Sequence, residues 1–187
     1  MNDLSKEVVI DIGGEAGKYF VERAKAETEK TFLVLDPEPI KSGEIPANLY
    51  FLQWLSSPES DIPLKDSSID EANIHFLFGE IIDETGIAID SLDISEEREA
   101  YRNILQQLKR VLKSGGKVNI LEVKDNVHRV EELLKEEGFQ ITSPPQKLEN
   151  EERTTYSTLF FKHQKRTGRP ESESFILPME IKAVWNP

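Results

Sequence analysis

The amino-acid sequence predicts an α/β protein built on a doubly wound, mainly parallel sheet. Short apolar, β-branched runs stop at glycine, aspartate or proline, and amphipathic stretches with helical spacing lie between them. A long amphipathic helix also passes abruptly through a glycine pair into another apolar run.

The first strand is Val8-Val9-Ile10, continuing through Asp11-Ile12 into the turn Gly13-Gly14. Such a run, without polar alternation, suits a strand buried on both faces. From about Gly17 to Glu29, Tyr19, Phe20, Val21 and Ala24 stand among charges and give a helix with one apolar face. Thr31 to Leu35 is almost wholly apolar and ends at Asp36-Pro37, so strand, helix and strand make a βαβ unit. Pro37, Pro39, Gly43 and Pro46 reduce the second crossover to a loop, and Asn48 to Trp54 forms a third strand. Ser56 to Ser68 is a loop. Ile69 to Phe78 is a fourth strand, interrupted by Asp70, Glu71 and Asn73.

The clearest helix spans Ser95 to Lys113, where Ala100, Ile104, Leu105, Leu108, Val111 and Leu112 share one stripe. Asp93 or Ser95 caps it, Glu96 and Glu97 suit its positive end, Lys109, Arg110 and Lys113 suit the other, and Gly115 stops it. Lys117 to Val123 is a fifth strand, and Val127 to Glu137 a helix closed by Gly138. Phe139 to Thr142 and Thr155 to Lys162 complete the strands. Residues 1–163 therefore form one domain. Residues 164–187, opening with the basic, breaker-rich Gln164 to Pro170, form a tail. Its apolar part, Ser174 to Trp185, acts as a lid over the cleft, docks on a partner, or packs on the domain's own sheet edge or helices.

Composition narrows the functions. The 35 acidic and 23 basic residues leave a net charge of −12, a field that repels nucleic-acid phosphates. No stretch approaches the roughly 20 apolar residues that span a bilayer, and Met1 to Glu7 lacks the apolar core of a signal peptide, so a cytoplasmic protein without a membrane partner is expected. The absence of cysteine excludes disulfides, thiolate zinc sites and cysteine nucleophiles. His75, His128 and His163 match no metal-ligand spacing, and no metal is expected.

In a doubly wound sheet, ligands lie beyond the carboxyl ends of strands where the winding reverses, here after the first and fourth strands. Three segments carry a more specific signal: Val8-Val9-Ile10-Asp11-Ile12-Gly13-Gly14-Glu15-Ala16-Gly17, Ile62-Pro63-Leu64-Lys65-Asp66-Ser67-Ser68-Ile69-Asp70, and Leu108-Lys109-Arg110-Val111-Leu112-Lys113-Ser114-Gly115-Gly116-Lys117. In sequence and in order they resemble the class I S-adenosylmethionine-dependent methyltransferases, over roughly residues 8 to 163. The resemblance implies a three-layer Rossmann-like fold whose seven-stranded sheet has its last strand antiparallel. It also implies S-adenosylmethionine as cofactor and methyl transfer to an oxygen or nitrogen of a small-molecule acceptor. Asp11, Gly13, Gly14, Glu15 and Gly17 around the turn, Asp36 and Pro37 after the second strand, and Asn73 on the fourth become the implied cofactor contacts. Asp36 either accepts hydrogen bonds from the ribose hydroxyls or merely ends its strand.

Two positions depart from the family pattern. Ser114 stands where proline is common, and Glu15 stands where the glycine pattern has its middle glycine. A carboxylate at Glu15 tolerates a sulfonium cation but repels a pyrophosphate at a helix N-terminus, which disfavours a dinucleotide cofactor. The segment Asn73 to Glu80 lacks the Asn-Pro-Pro-Tyr type of motif found in relatives acting on adenine or glutamine, so those acceptors are disfavoured. His75 is the catalytic candidate, a base for a hydroxyl acceptor. Its other reading, between Ile74 and Phe76, is a histidine satisfied beside the sheet. The chain's rival reading is a domain of this type that has lost catalysis and serves as a binding or interaction module.

Overall fold

In a computed structural model, which describes residues 6–13, 18–37, 45–54, 60–75, 94–148 and 178–187, the chain alternates strands and helices. The elements are β1 (Val8–Ile12), α1 (Lys18–Ala26), β2 (Thr31–Asp36), β3 (Leu49–Gln53), β4 (Ile69–His75), α2 (Ile94–Val111), β5 (Leu112–Val123), α3 (Lys124–Glu136), β6 (Gln140–Lys147) and β7 (Pro178–Trp185). The strands make one sheet in the order β3-β2-β1-β4-β5-β7-β6. Strands β1 to β5 pair in parallel, and β7 runs antiparallel to both β5 and β6. The expected doubly wound, mainly parallel seven-stranded sheet with one antiparallel strand is what forms.

The seventh strand comes from Pro178–Trp185. Thr155 to Lys162, where the sequence placed the last strand, lies outside the described residues. Part of the segment read as a tail is thus built into the sheet, with Ile181 and Ala183 buried and Trp185 packed on Phe139, ring centroids 5.4 Å apart.

Helix α2 buries the predicted stripe: Ala100, Ile104, Leu105, Leu108 and Val111, joined by Tyr101, are at most 3% exposed. The helix stops at Val111, two residues before Lys113, because Leu112 already pairs with Ile69. The β4–β5 register then slips so that Glu71 meets Lys117, and the glycine pair lies in this bulge. Gly115 has φ +79°, and a Cβ on Gly116 would sit 2.8 Å from the Lys113 carbonyl oxygen. Only glycine suits either position.

Two of the three resemblance segments also touch. Arg110 Nη1 donates to the Leu64 carbonyl at 2.7 Å and Nη2 to that of Ile62 at 2.6 Å, while the Ser67 and Ser68 amides donate to the carbonyls of Arg110 and Val111. These bonds satisfy carbonyls at the end of α2 and fix the entry to β4.

Side chains alternate between faces along each strand. On one face, Ile10, Ile12, Ala72, Ile74, Val118, Ile120 and Ile181 form a single core with α2 and α3. On the other, Val9, Phe32, Val34 and Leu49 pack against Phe20 and Ala24 of α1. No helix among the described residues is long and apolar enough to cross a membrane.

Candidate functional site

Strand β1 lies between β2 and β4, and the chain winds outward through β2 to β3 before returning to β4. The crevice of a doubly wound sheet opens at this reversal, beyond the carboxyl ends of β1 and β4. Gly13, immediately after β1, has φ +79°, the left-handed conformation that glycine adopts without penalty. Gly14, Glu15 and Gly17 lie outside the described residues. Asp36 ends β2, one residue past the pairing of Ile12 with Leu35, and is 8% exposed, with exposed Pro37 following it.

The same face of the sheet brings Asp11, Asn73 and His75 together. Asp11 pairs in register with Asn73, so both side chains project from one face, and His75 follows two residues along it. His75 Nδ1 and Asp11 Oδ1 are 2.7 Å apart, with the histidine 6% exposed and the aspartate fully enclosed. Asp11 Oδ2 is buried and meets no hydrogen-bond partner among the described residues.

A polar ladder continues down β4 from this pair. Asn73 Nδ2 donates to Glu71 Oε1 at 3.0 Å, and Asn119 Nδ2 donates to Glu71 Oε1 and to Asn73 Oδ1, both at 3.2 Å. Asn73 therefore keeps at most one amide N–H for a ligand. Arg23 of α1 closes the ladder: Nη1 donates to Glu71 Oε1 at 2.7 Å, Nε donates to Glu27 at 2.7 Å, and the guanidinium lies 5.5 Å from the centre of the Phe32 ring. Burial opposes the Glu71 charge, but hydrogen bonds from Arg23 and Asn73 outweigh it and hold the carboxyl below its ordinary range. Burial likewise opposes the Arg23 charge, and the bonds to Glu71 and Glu27 hold the guanidinium above its ordinary value. The ladder ties α1, the helix after the glycine turn, to the strand that carries His75.

On the opposite face, Glu122 near the end of β5 is fully buried. Burial, and then the charge of Glu122, push the Tyr101 hydroxyl well above its ordinary pKa. Among the described residues no three histidine, aspartate or glutamate side chains converge as a metal-binding set.

The structure thus joins Asp11 to His75 directly, sets Asn73 opposite Asp11 in register, and places Gly13 and Asp36 on neighbouring strand ends. Sequence reasoning missed Arg23, Glu71 and Asn119. Their signal was polar residues at every second position of β4, Glu71, Asn73 and His75, which mark one face of a central strand.

No protein-family model matches the chain, and no curated protein matches it in sequence. Solved structures share its fold. The 16S rRNA methyltransferase KamB is 16% identical, with a TM-score of 0.62 over 97% of this chain and 89% of that one. An S-adenosylmethionine-dependent methyltransferase from Aquifex aeolicus is 17% identical, with a TM-score of 0.57 over 96% and 83%. The [4+2]-cyclase SpnF is 16% identical, with a TM-score of 0.63 over 97% and 75%. The fold is that of the S-adenosylmethionine-dependent methyltransferases.

Proposed function

We propose, with that fold as the premise, that the chain binds S-adenosylmethionine beyond the carboxyl ends of β1, β2 and β4 and transfers its methyl group to an oxygen or nitrogen of a small-molecule acceptor. The observation that carries this reading is the convergence at the β1–β4 reversal of a left-handed glycine, a half-satisfied buried carboxylate and a buried histidine.

The groups present fit such a cofactor. Gly13, at φ +79°, would let backbone approach the ligand; Gly14, Glu15 and Gly17, which follow it in sequence, are proposed as further contacts, a carboxylate being suited to a sulfonium. Asp36 would accept hydrogen bonds from the ribose hydroxyls, and Pro37 and Asn73 are proposed as further contacts. When bound, S-adenosylmethionine would supply an electrophilic methyl group, with S-adenosylhomocysteine as the leaving group that keeps the electrons of the broken bond. The protein aligns the acceptor and excludes water, and His75 takes the proton that an acceptor hydroxyl or amine gives up. A net charge of −12 favours a small acceptor over RNA.

Calorimetric titration of the full chain with S-adenosylmethionine and S-adenosylhomocysteine tests this. One binding site should appear, with stabilisation of about 2.7 kcal/mol at a hundredfold excess of ligand over Kd. Neither heat nor a melting shift with either compound would sink the proposal. The likeness to a [4+2]-cyclase favours a second reading, a domain of this fold that does not transfer methyl groups. That reading predicts binding but no transfer of labelled methyl to any hydroxyl or amine acceptor.

A further inference from the structure

We infer that Asp11 is a positioning residue that fixes the tautomer of His75, so that the ring presents Nε2 as its proton acceptor. The inference rests on the function proposed above and deepens it by assigning Asp11 to the proton-transfer half of the site.

Asp11 and His75 lie 64 positions apart in sequence and meet at 2.7 Å because β1 and β4 are neighbours. A carboxylate only accepts hydrogen bonds, so a neutral ring whose Nδ1 lies 2.7 Å from an ionised Asp11 Oδ1 carries its proton on Nδ1. The lone pair is then on Nε2. An asparagine of the same shape would turn its amide N–H toward Nδ1 and drive the proton to Nε2, where the ring could no longer accept one.

Stability alone does not account for a carboxylate at this position. It is fully enclosed, and its second oxygen meets no donor among the described residues, an arrangement that costs free energy in a purely structural pair. The next residues of β1 on either side, Ile10 and Ile12, are apolar and packed. In the reaction, the acceptor's lone pair forms the bond to the methyl carbon, the pair from the broken bond stays on sulfur, and the acceptor proton passes to His75 Nε2 and then to solvent. Asp11 keeps its position throughout and stabilises the imidazolium that forms.

Histidine-labelled full-length protein, studied by long-range proton–nitrogen NMR at a pH where imidazoles are neutral, tests the inference, because only His75, His128 and His163 contribute. The wild type should show His75 as the Nδ1–H tautomer, and saturating S-adenosylhomocysteine should shift its Nε2 resonance but not those of His128. Asp11→Asn should exchange the two nitrogen signals. It should also lower methyl transfer by about 10²–10⁴-fold while changing the Kd for S-adenosylhomocysteine by less than about tenfold.

An Nε2–H tautomer in the wild type overturns the inference without any variant, so a misfolded Asp11→Asn protein leaves it decidable. A purely structural pair would show the Nδ1–H tautomer with no response to S-adenosylhomocysteine, and that result also overturns it. A loss of binding that matches the loss of transfer makes Asp11 a cofactor contact instead. If the wild type does not bind S-adenosylhomocysteine, the methyltransferase reading itself fails and this role of the ring falls with it. If the ligand binds but the tautomer is unchanged in Asp11→Asn, only the present inference falls.

Discussion

The two faces of the central strands are made of alternate residues of the same segments, yet they do different work. On the α2 and α3 side, Ile10, Ile12, Ala72, Ile74, Val118 and Ile120 are at most 1% exposed and form one continuous core. On the side that α1 covers in part, Asp11, Glu71, Asn73, His75 and Asn119 replace that pattern along β1, β4 and β5. Apolar burial contributes in proportion to area and needs no particular geometry, whereas each buried polar group must find a partner. The first face can therefore hold the fold while the second holds groups chosen for chemistry. The ladder from Arg23 to Asn119 lets those groups remain buried.

The largest expected effect tests the apolar face. Leu108 of α2 is fully buried within its core. Leu108→Ala should lower unfolding stability by about 2–5 kcal/mol, through lost transfer energy and the cavity left behind. Urea denaturation measures this. A loss below 1 kcal/mol, less than the expected effect of Glu71→Gln below, would end the division of labour between the faces.

An intermediate effect, with a distinctive pH dependence, is expected on the polar face. The Glu71 carboxyl is held below its ordinary value of 4.5, so the folded state binds fewer protons than the unfolded chain in that range. The stability it contributes is complete above 4.5 and is lost as the pH falls through the lower folded value. Glu71→Gln keeps the shape and removes the charge. The variant should be less stable by about 1.5–3 kcal/mol at neutral pH, and the gap should close as the solution is acidified. Urea midpoints across that range would show it, and a gap that stays constant with pH would assign the loss to packing rather than to the Arg23–Glu71 pair.

The difference between the faces also governs what could be foreseen from sequence. The α2 stripe was legible because a period of 3.6 residues is a local property, and the first βαβ unit because its turn residues stand beside its strands. Strand β7 was not. Pro178 to Trp185 becomes a strand through pairing with β5 and β6, and no pattern near residue 180 names those partners. Asp11, Asp36, Asn73 and His75 were each legible as chemistry at strand ends, but the Asp11–His75 pairing depends on which strands adjoin. In sequence the polar residues of β4 read as interruptions, because a central parallel strand is expected to be apolar on both faces. Their period of two was the readable trace of the ladder.

The smallest effect decides how the ladder is held together. Asn119 Nδ2 makes two contacts, both at 3.2 Å, to Glu71 and Asn73. Glu71 retains the Arg23 and Asn73 bonds without it, so Asn119→Ala removes a donor and leaves only Asn73 Oδ1 short of a partner. The expected cost is about 0.5–1.5 kcal/mol, read from urea unfolding, with the Kd for S-adenosylhomocysteine unchanged because Asn119 lies below the strand ends. If the substitution instead matched Leu108→Ala in size, the ladder would be a cooperative network rather than a set of pairwise bonds. The polar face would then stabilise the fold as much as the core opposite it.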